Sequence, residues 1–95
     1  MLILTNVMEH LVLETIEEVL ASESARDMCH CERCRLDIAA LVLNSLPPSY
    51  VVTYEGEVKK RTNALAIQRK ADIVREIAKA AQVVKDHAHH DRLDG

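Results

Sequence analysis

The sequence predicts a mainly α, single-domain, dimeric protein: three to four helices, the last of them long, with one short β-strand or hairpin after a Pro-Pro turn. Three observations predict it. Residues 4–20 and 32–46 repeat apolar side chains at helical spacing, with neither Gly nor Pro among them. Residues 57–94 also lack both helix breakers and are rich in Ala, Lys, Arg, Gln and Glu. The one compact β-branched and aromatic run, from Tyr50 to Tyr54, comes directly after Pro47-Pro48.

In the first helix, Leu4, Met8, Leu11, Val12, Thr15 (through its methyl) and Val19 make one stripe, which Leu13, Ile16 and Leu20 widen. Asn6 and Glu9 have capping-box spacing, in which the Asn side chain accepts from the third helical amide and the Glu reaches back. Residues 21–27 carry no hydrophobic anchor and read as a connecting loop that ends at the thiols. The second helix has two apolar rows, Leu36, Ala39 and Leu43 on one side and Ile38, Leu41 and Val42 on another, which predicts a central helix. Arg33, Asp37, Ala40 and Asn44 lie within about 60° of one another and form a narrow polar stripe along it. Pro47-Pro48 stops this helix near Leu46, because the residue before a proline is pushed out of the α region.

After the strand, Glu55-Gly56 offers a turn with positive φ, and Val58-Lys59-Lys60 is expected to fold back as a weak second strand. The long helix then occupies residues 63–90, with residues 91–95 as a frayed tail. Ile67, Ala71, Val74, Ala78, Ala81 and Ala88, with Ile77 and Val84 beside them, suit close helix packing. Residues 64–88 would span about 38 Å, more than so small a domain requires, so part of the helix is expected to pack against another subunit. His87, His89 and His90 read as a solvated helix end.

Composition narrows the function. The 95 residues include no Phe, no Trp and only two Tyr, so the core must be aliphatic. A domain this size buries only about 60 to 65% of its unfolded surface and gains from a bound metal or a partner subunit. The formal charge of −3 carries no basic excess, which argues against direct DNA binding. MLILTNVMEH lacks a basic leader, and no apolar run approaches a membrane span, so a cytoplasmic protein without membrane insertion is expected. With two glycines, no nucleophile elbow, no HExxH and no glycine-rich phosphate loop, the chain is expected not to be an enzyme.

Two groups of residues carry chemistry. Cys29, Cys31 and Cys34 make C-x-C-x-x-C, from which three thiolates can converge on one zinc ion at about 2.3 Å. A closed structural site needs a fourth ligand, which could be His30, a nearby carboxylate or a partner-chain residue. Reduced structural thiols and a redox switch are the competing readings. The second group is the polar stripe: Asp37 and Asn44 sit in a mostly apolar helix, where an unsatisfied buried polar group costs about 1 to 3 kcal/mol. Either backbone at the Pro-Pro turn or at the start of the first helix satisfies them, or a ligand does.

Asp37, Ile38, Ala40, Leu41, Leu43, Asn44, Leu46, Pro47, Pro48, Tyr50 and Val51 form D-I-x-A-L-x-L-N-x-L-P-P-x-Y-V behind the cysteines, and Asn6 and Glu9 form N-x-x-E. These runs resemble the late competence ComFB family over residues 1–62. The resemblance implies a receptor for a cyclic dinucleotide, c-di-GMP or c-di-AMP, that relays the signal to an unidentified protein effector. It also implies cysteine-held zinc, as in several members of the family. Expected ligand residues are Arg33, Arg35 and Arg61 as donors, Asp37 as acceptor for a guanine edge, Asn44 beside it, and Tyr50, with Tyr54 the other aromatic face. The alternative is a zinc-stabilised adaptor in competence and DNA uptake with no small ligand.

Overall fold

Asn6 divides the start of the chain into two elements. The computed structural model describes residues 1–86, in which β1 (Leu2–Asn6) leads directly into α1 (Val7–Leu20). After a single 3-10 turn at Glu23–Ala25 come α2 (Glu32–Ser45), β2 (Tyr50–Tyr54) and α3 (Val58–Asp86). The cluster of His87, His89 and His90 and the expected tail at 91–95 lie outside the described residues.

The first helix therefore begins at Val7 and not at residue 4. Asn6 is extended, with φ −86 and ψ 102, and its Oδ1 accepts from the Met8 amide at 3.1 Å, the second helical amide and not the third. The residues before it pair antiparallel with β2, Leu2 opposite Tyr54, Leu4 opposite Val52 and Asn6 opposite Tyr50. The second strand thus comes from the chain start, and Val58-Lys59-Lys60 opens α3 instead. A tight turn causes this. The Glu57 amide donates to the Tyr54 carbonyl at 3.0 Å across Gly56 at φ 97, and the Lys60 amide already donates to the Glu57 carbonyl at 3.1 Å. α3 thereby gains a turn and a half over the expected start, and its 29 residues run about 42 Å.

Sheet and helices are fastened at one corner. The Val7 amide donates to the Ser49 carbonyl at 2.8 Å, and the Ser49 amide donates to Asn6 Oδ1 at 2.9 Å. One side chain therefore caps α1 and holds the Pro-Pro turn. α2 stops at Ser45, with Leu46 extended (φ −105, ψ 145), as the following proline demands.

Each of the three helices packs against the other two. The core is aliphatic, as the composition requires: Met8, Leu11, Val12 and Ile16 meet Cys34, Ile38, Ala39 and Val42, and both rows meet Ile73, Ile77, Ala80, Ala81 and Val84. α2 is one member of this bundle and not its centre, since Leu36 and Leu41 remain exposed. The seam expected on α3 also splits. Ile77, Ala81 and Val84 face inward, while Val74 and Ile67 lie about 55° and 75° to one side of that row and are 37% and 87% exposed. Residues 21–27 hold more than a loop, because Ala25 is buried beneath the helices. Among the described residues no helix is long and apolar enough to cross a membrane.

Candidate metal centre and ligand surface

Cys31 precedes α2 in extended conformation and caps it, its Sγ accepting from the Cys34 amide at 3.4 Å. One turn further on, Cys34 falls in the buried row with Ile38 and Val42, whereas Cys29 is exposed and Cys31 half-buried. The three sulfurs lie within 4.8 Å of one another. Thiolates sharing one tetrahedral zinc stand about 3.8 Å apart, so only a small closure would seat an ion. The cluster could therefore hold a metal such as zinc, supplying three of its four positions. Among the described residues no fourth Cys, His, Asp or Glu ligand atom joins this group. His30, one of the expected candidates, is turned to the 3-10 turn, its Nε2 donating to the Ala25 carbonyl at 3.2 Å.

The thiols differ in acidity. The Cys34 amide, with the Cys29 thiol second, holds Cys31 below the usual thiol range. Burial above all, then hydrogen bonds with Cys31 and Cys29, pushes Cys34 from 9.0 up to about 12. Without a cation the folded state thus holds the Cys34 proton more tightly than the unfolded chain does. Stability from this source is fully present below pH 9 and is lost as pH rises towards 12. Zinc-free protein is expected to lose stability steadily as pH rises across that window, and Cys34→Ala is expected to flatten the slope. Urea titrations at several alkaline pH values check this, and an unchanged slope in the variant would refute it.

The polar stripe stands on the outer side of α2. Arg33 Nε lies 3.2 Å from the Asp37 carboxylate, one turn on, and Asn44 is exposed on the same face. Asn44 therefore does not carry the burial cost that the apolar sequence around it suggested, and the Pro-Pro turn is held by Asn6. Arg35 lies about 200° around the helix from Arg33 and points to α1. It pairs with Glu17 at 3.2 Å and lines a groove of about 570 Å³ with Leu20, Ser22, Arg26 and His30. Arg61 lines a separate cavity of about 170 Å³ with Val7, Ser49, Val51 and Gln68. Tyr50 and Tyr54 stand exposed on the outer face of the sheet.

The chain thus brings Arg33, Asp37 and Asn44 together and sends Arg35, Arg61 and Tyr50 to three other surfaces. Arg26 is a groove residue that the sequence did not single out. Its segment has no periodicity, and only the 3-10 turn brings it opposite Arg35.

The model of the family described as late competence development protein ComFB matches residues 5–88. The chain belongs to the ComFB family. Among solved structures, the late competence protein ComFB from Bacillus subtilis is similar to it with a TM-score of 0.73 and 27% identity, covering 90% of this chain and 92% of that one. No curated protein matches the sequence. The ComFB match takes in the cysteine cluster, the run through Pro-Pro to Val51 and all of α3.

Proposed function

We propose that this ComFB-family chain is a non-enzymatic, homodimeric signalling module that binds a cyclic dinucleotide, c-di-GMP or c-di-AMP, and relays it to a protein effector in the cytoplasm. The observation that carries the reading is the outward row Arg33, Asp37 and Asn44 on α2, flanked by exposed Leu36 and Leu41. An Arg beside a carboxylate on an open face has the donors for a phosphate or for guanine O6 and N7, and the carboxylate can accept from guanine N1–H and N2–H. The two leucines offer an apolar ledge for a base. Arg35, Arg61 and Tyr50 belong to the same site only if a second copy brings them to it.

Titration calorimetry of c-di-GMP and c-di-AMP against the full chain tests this. One of the two is expected to bind, and Asp37→Ala is expected to weaken binding at least about tenfold, the value of one charge-assisted hydrogen bond, with the helical spectrum unchanged. No heat from either dinucleotide at tens-of-micromolar protein would overturn the reading. Loss of helix in Asp37→Ala would assign the residue to folding.

A second reading is favoured by the converging sulfurs of Cys29, Cys31 and Cys34. In it the chain is a zinc-stabilised adaptor acting in competence and DNA uptake without a small ligand. Stoichiometric zinc together with silence towards both dinucleotides would select it.

A further inference from the structure

The C-x-x-C half of the cysteine run straddles the start of a helix, and its two sulfurs meet different surroundings. Cys31 is the half-buried N-cap of α2, its Sγ accepting from the Cys34 amide at 3.4 Å. Cys34, one turn on, is 2% exposed and lines a cavity of about 160 Å³ with Met28, Ile38, Ala81 and Val84. We propose that in the metal-free chain Cys31 and Cys34 form a reversible dithiol–disulfide pair, which exchanges with low-molecular-weight disulfides such as glutathione disulfide. Cys31 attacks and Cys34 resolves.

Reach favours this pair over the others. The two sulfurs lie within 4.8 Å of each other. Cα atoms three residues apart at a helix start stand about 5 to 6 Å apart, inside the span that a disulfide bridges without moving the backbone. Cys29 comes two residues before the cap and belongs to no helix or strand, so no helical register holds its backbone at that spacing. Access sets the order of events. Cys34 is closed to a disulfide arriving from solvent, whereas Cys31 stands at the open end of the turn. The amide directed at Cys31 Sγ from the helix N-terminus steadies the negative charge that this sulfur carries, both when it attacks and when it is expelled. The exchange can therefore run in either direction.

Glutathione disulfide supplies the oxidising equivalents. The Cys31 thiol ionises, and its sulfur displaces one glutathione thiolate to give a mixed disulfide. The Cys34 thiol then gives up its proton to water and attacks Cys31 Sγ, which expels the second thiolate. Two protein thiols are oxidised, one small disulfide is reduced to two thiols, and the two protons pass through water to the released glutathione. The closed bridge leaves Cys29 alone, so the bridge and an ion shared by three sulfurs exclude each other. It also brackets Arg33, which puts the redox state within one turn of the Arg33–Asp37 pair.

The full chain, freed of metal by a chelator, treated with glutathione disulfide and then with an alkylating agent, tests this by intact mass and peptide mapping. Wild-type protein is expected to lose two hydrogens, to keep one alkylatable thiol at Cys29, and to recover all three after dithiothreitol. Cys29→Ser is expected to form the same bridge, and Cys31→Ser to form none. Cys34→Ala is expected to stop at a glutathione adduct on Cys31. The wild-type map requires no substitution, so a buried variant that folds poorly does not decide the outcome. A bridge that includes Cys29, a stable adduct on the wild type without a bridge, or three thiols unchanged after prolonged exposure overturns the proposal.

Discussion

Cys31→Ser is expected to empty the metal centre and to lower the melting temperature of protein isolated with zinc by an amount of order 20 °C. Serine keeps the helix cap, since its hydroxyl can accept from the Cys34 amide as the sulfur does at 3.4 Å. What it removes is one of the three thiolates that can share an ion. A metal bound only by the folded state stabilises it by about 4 kcal/mol when free metal stands roughly a thousandfold above the dissociation constant. A domain of this size changes its midpoint by about 4 to 8 °C per kcal/mol. Chelator-treated wild-type protein should melt with the variant, and bound zinc should fall from one per chain to near zero. Protein purified without added metal that carries little zinc, with all three thiols open to titration, would remove the metal from the account.

Asn6→Ala should cost about 2 to 4 kcal/mol, because one carbonyl oxygen serves two amides from distant parts of the chain. The cap on the Met8 amide is worth about 1 kcal/mol. Its loss also leaves the half-buried Ser49 amide, now 2.9 Å from Oδ1, without that acceptor, at about 1 to 3 kcal/mol for a stranded donor. The sheet should feel the change as well, because Asn6 is also the last paired residue of β1. Asn6→Asp retains an acceptor for both amides and should recover most of the loss. Urea denaturation of the three proteins measures the differences, and an alanine variant within about 0.5 kcal/mol of wild type would show that water replaces the side chain, as at an ordinary surface position.

What local chemistry controls was legible in the sequence, and what distant pairing controls was not. Leu46 before Pro47, the turn at Gly56 and the breaker-free run to Asp86 each act within a few residues, and each appears where the sequence places it. β1 was hidden because Leu4, Met8, Leu11 and Val12 fit a helical stripe, while Leu2 and Leu4 on one face and Ile3 on the other leave no polar alternation to mark a strand. Asn6 as a cap already pointed to a helix starting one residue later. Its second role, towards Ser49, spans 43 positions and has no local sign. The same limit applied to α3: two apolar rows lay side by side, and only the presence of α1 and α2 decided that Ile73 and Ile77 turn inward. At the site, the C-x-C-x-x-C spacing was sufficient to bring three sulfurs together, whereas Arg33 and Arg35 share α2 but leave it on opposite sides, and Arg61 stands on α3.

The placement of Tyr50 and Tyr54 gives this chain an unusual optical behaviour. With no tryptophan or phenylalanine, its near-ultraviolet emission comes from two rings that both stand on the outer side of one ribbon and none inside the bundle. Denaturing an isolated chain at constant temperature would change the surroundings of these two already exposed rings little, although its far-ultraviolet dichroism would collapse. Anything that covers the ribbon would quench or shift the tyrosine signal while the dichroism stayed constant. The two spectra therefore report separate events in one cuvette, folding in the peptide bands and surface coverage in the phenol bands.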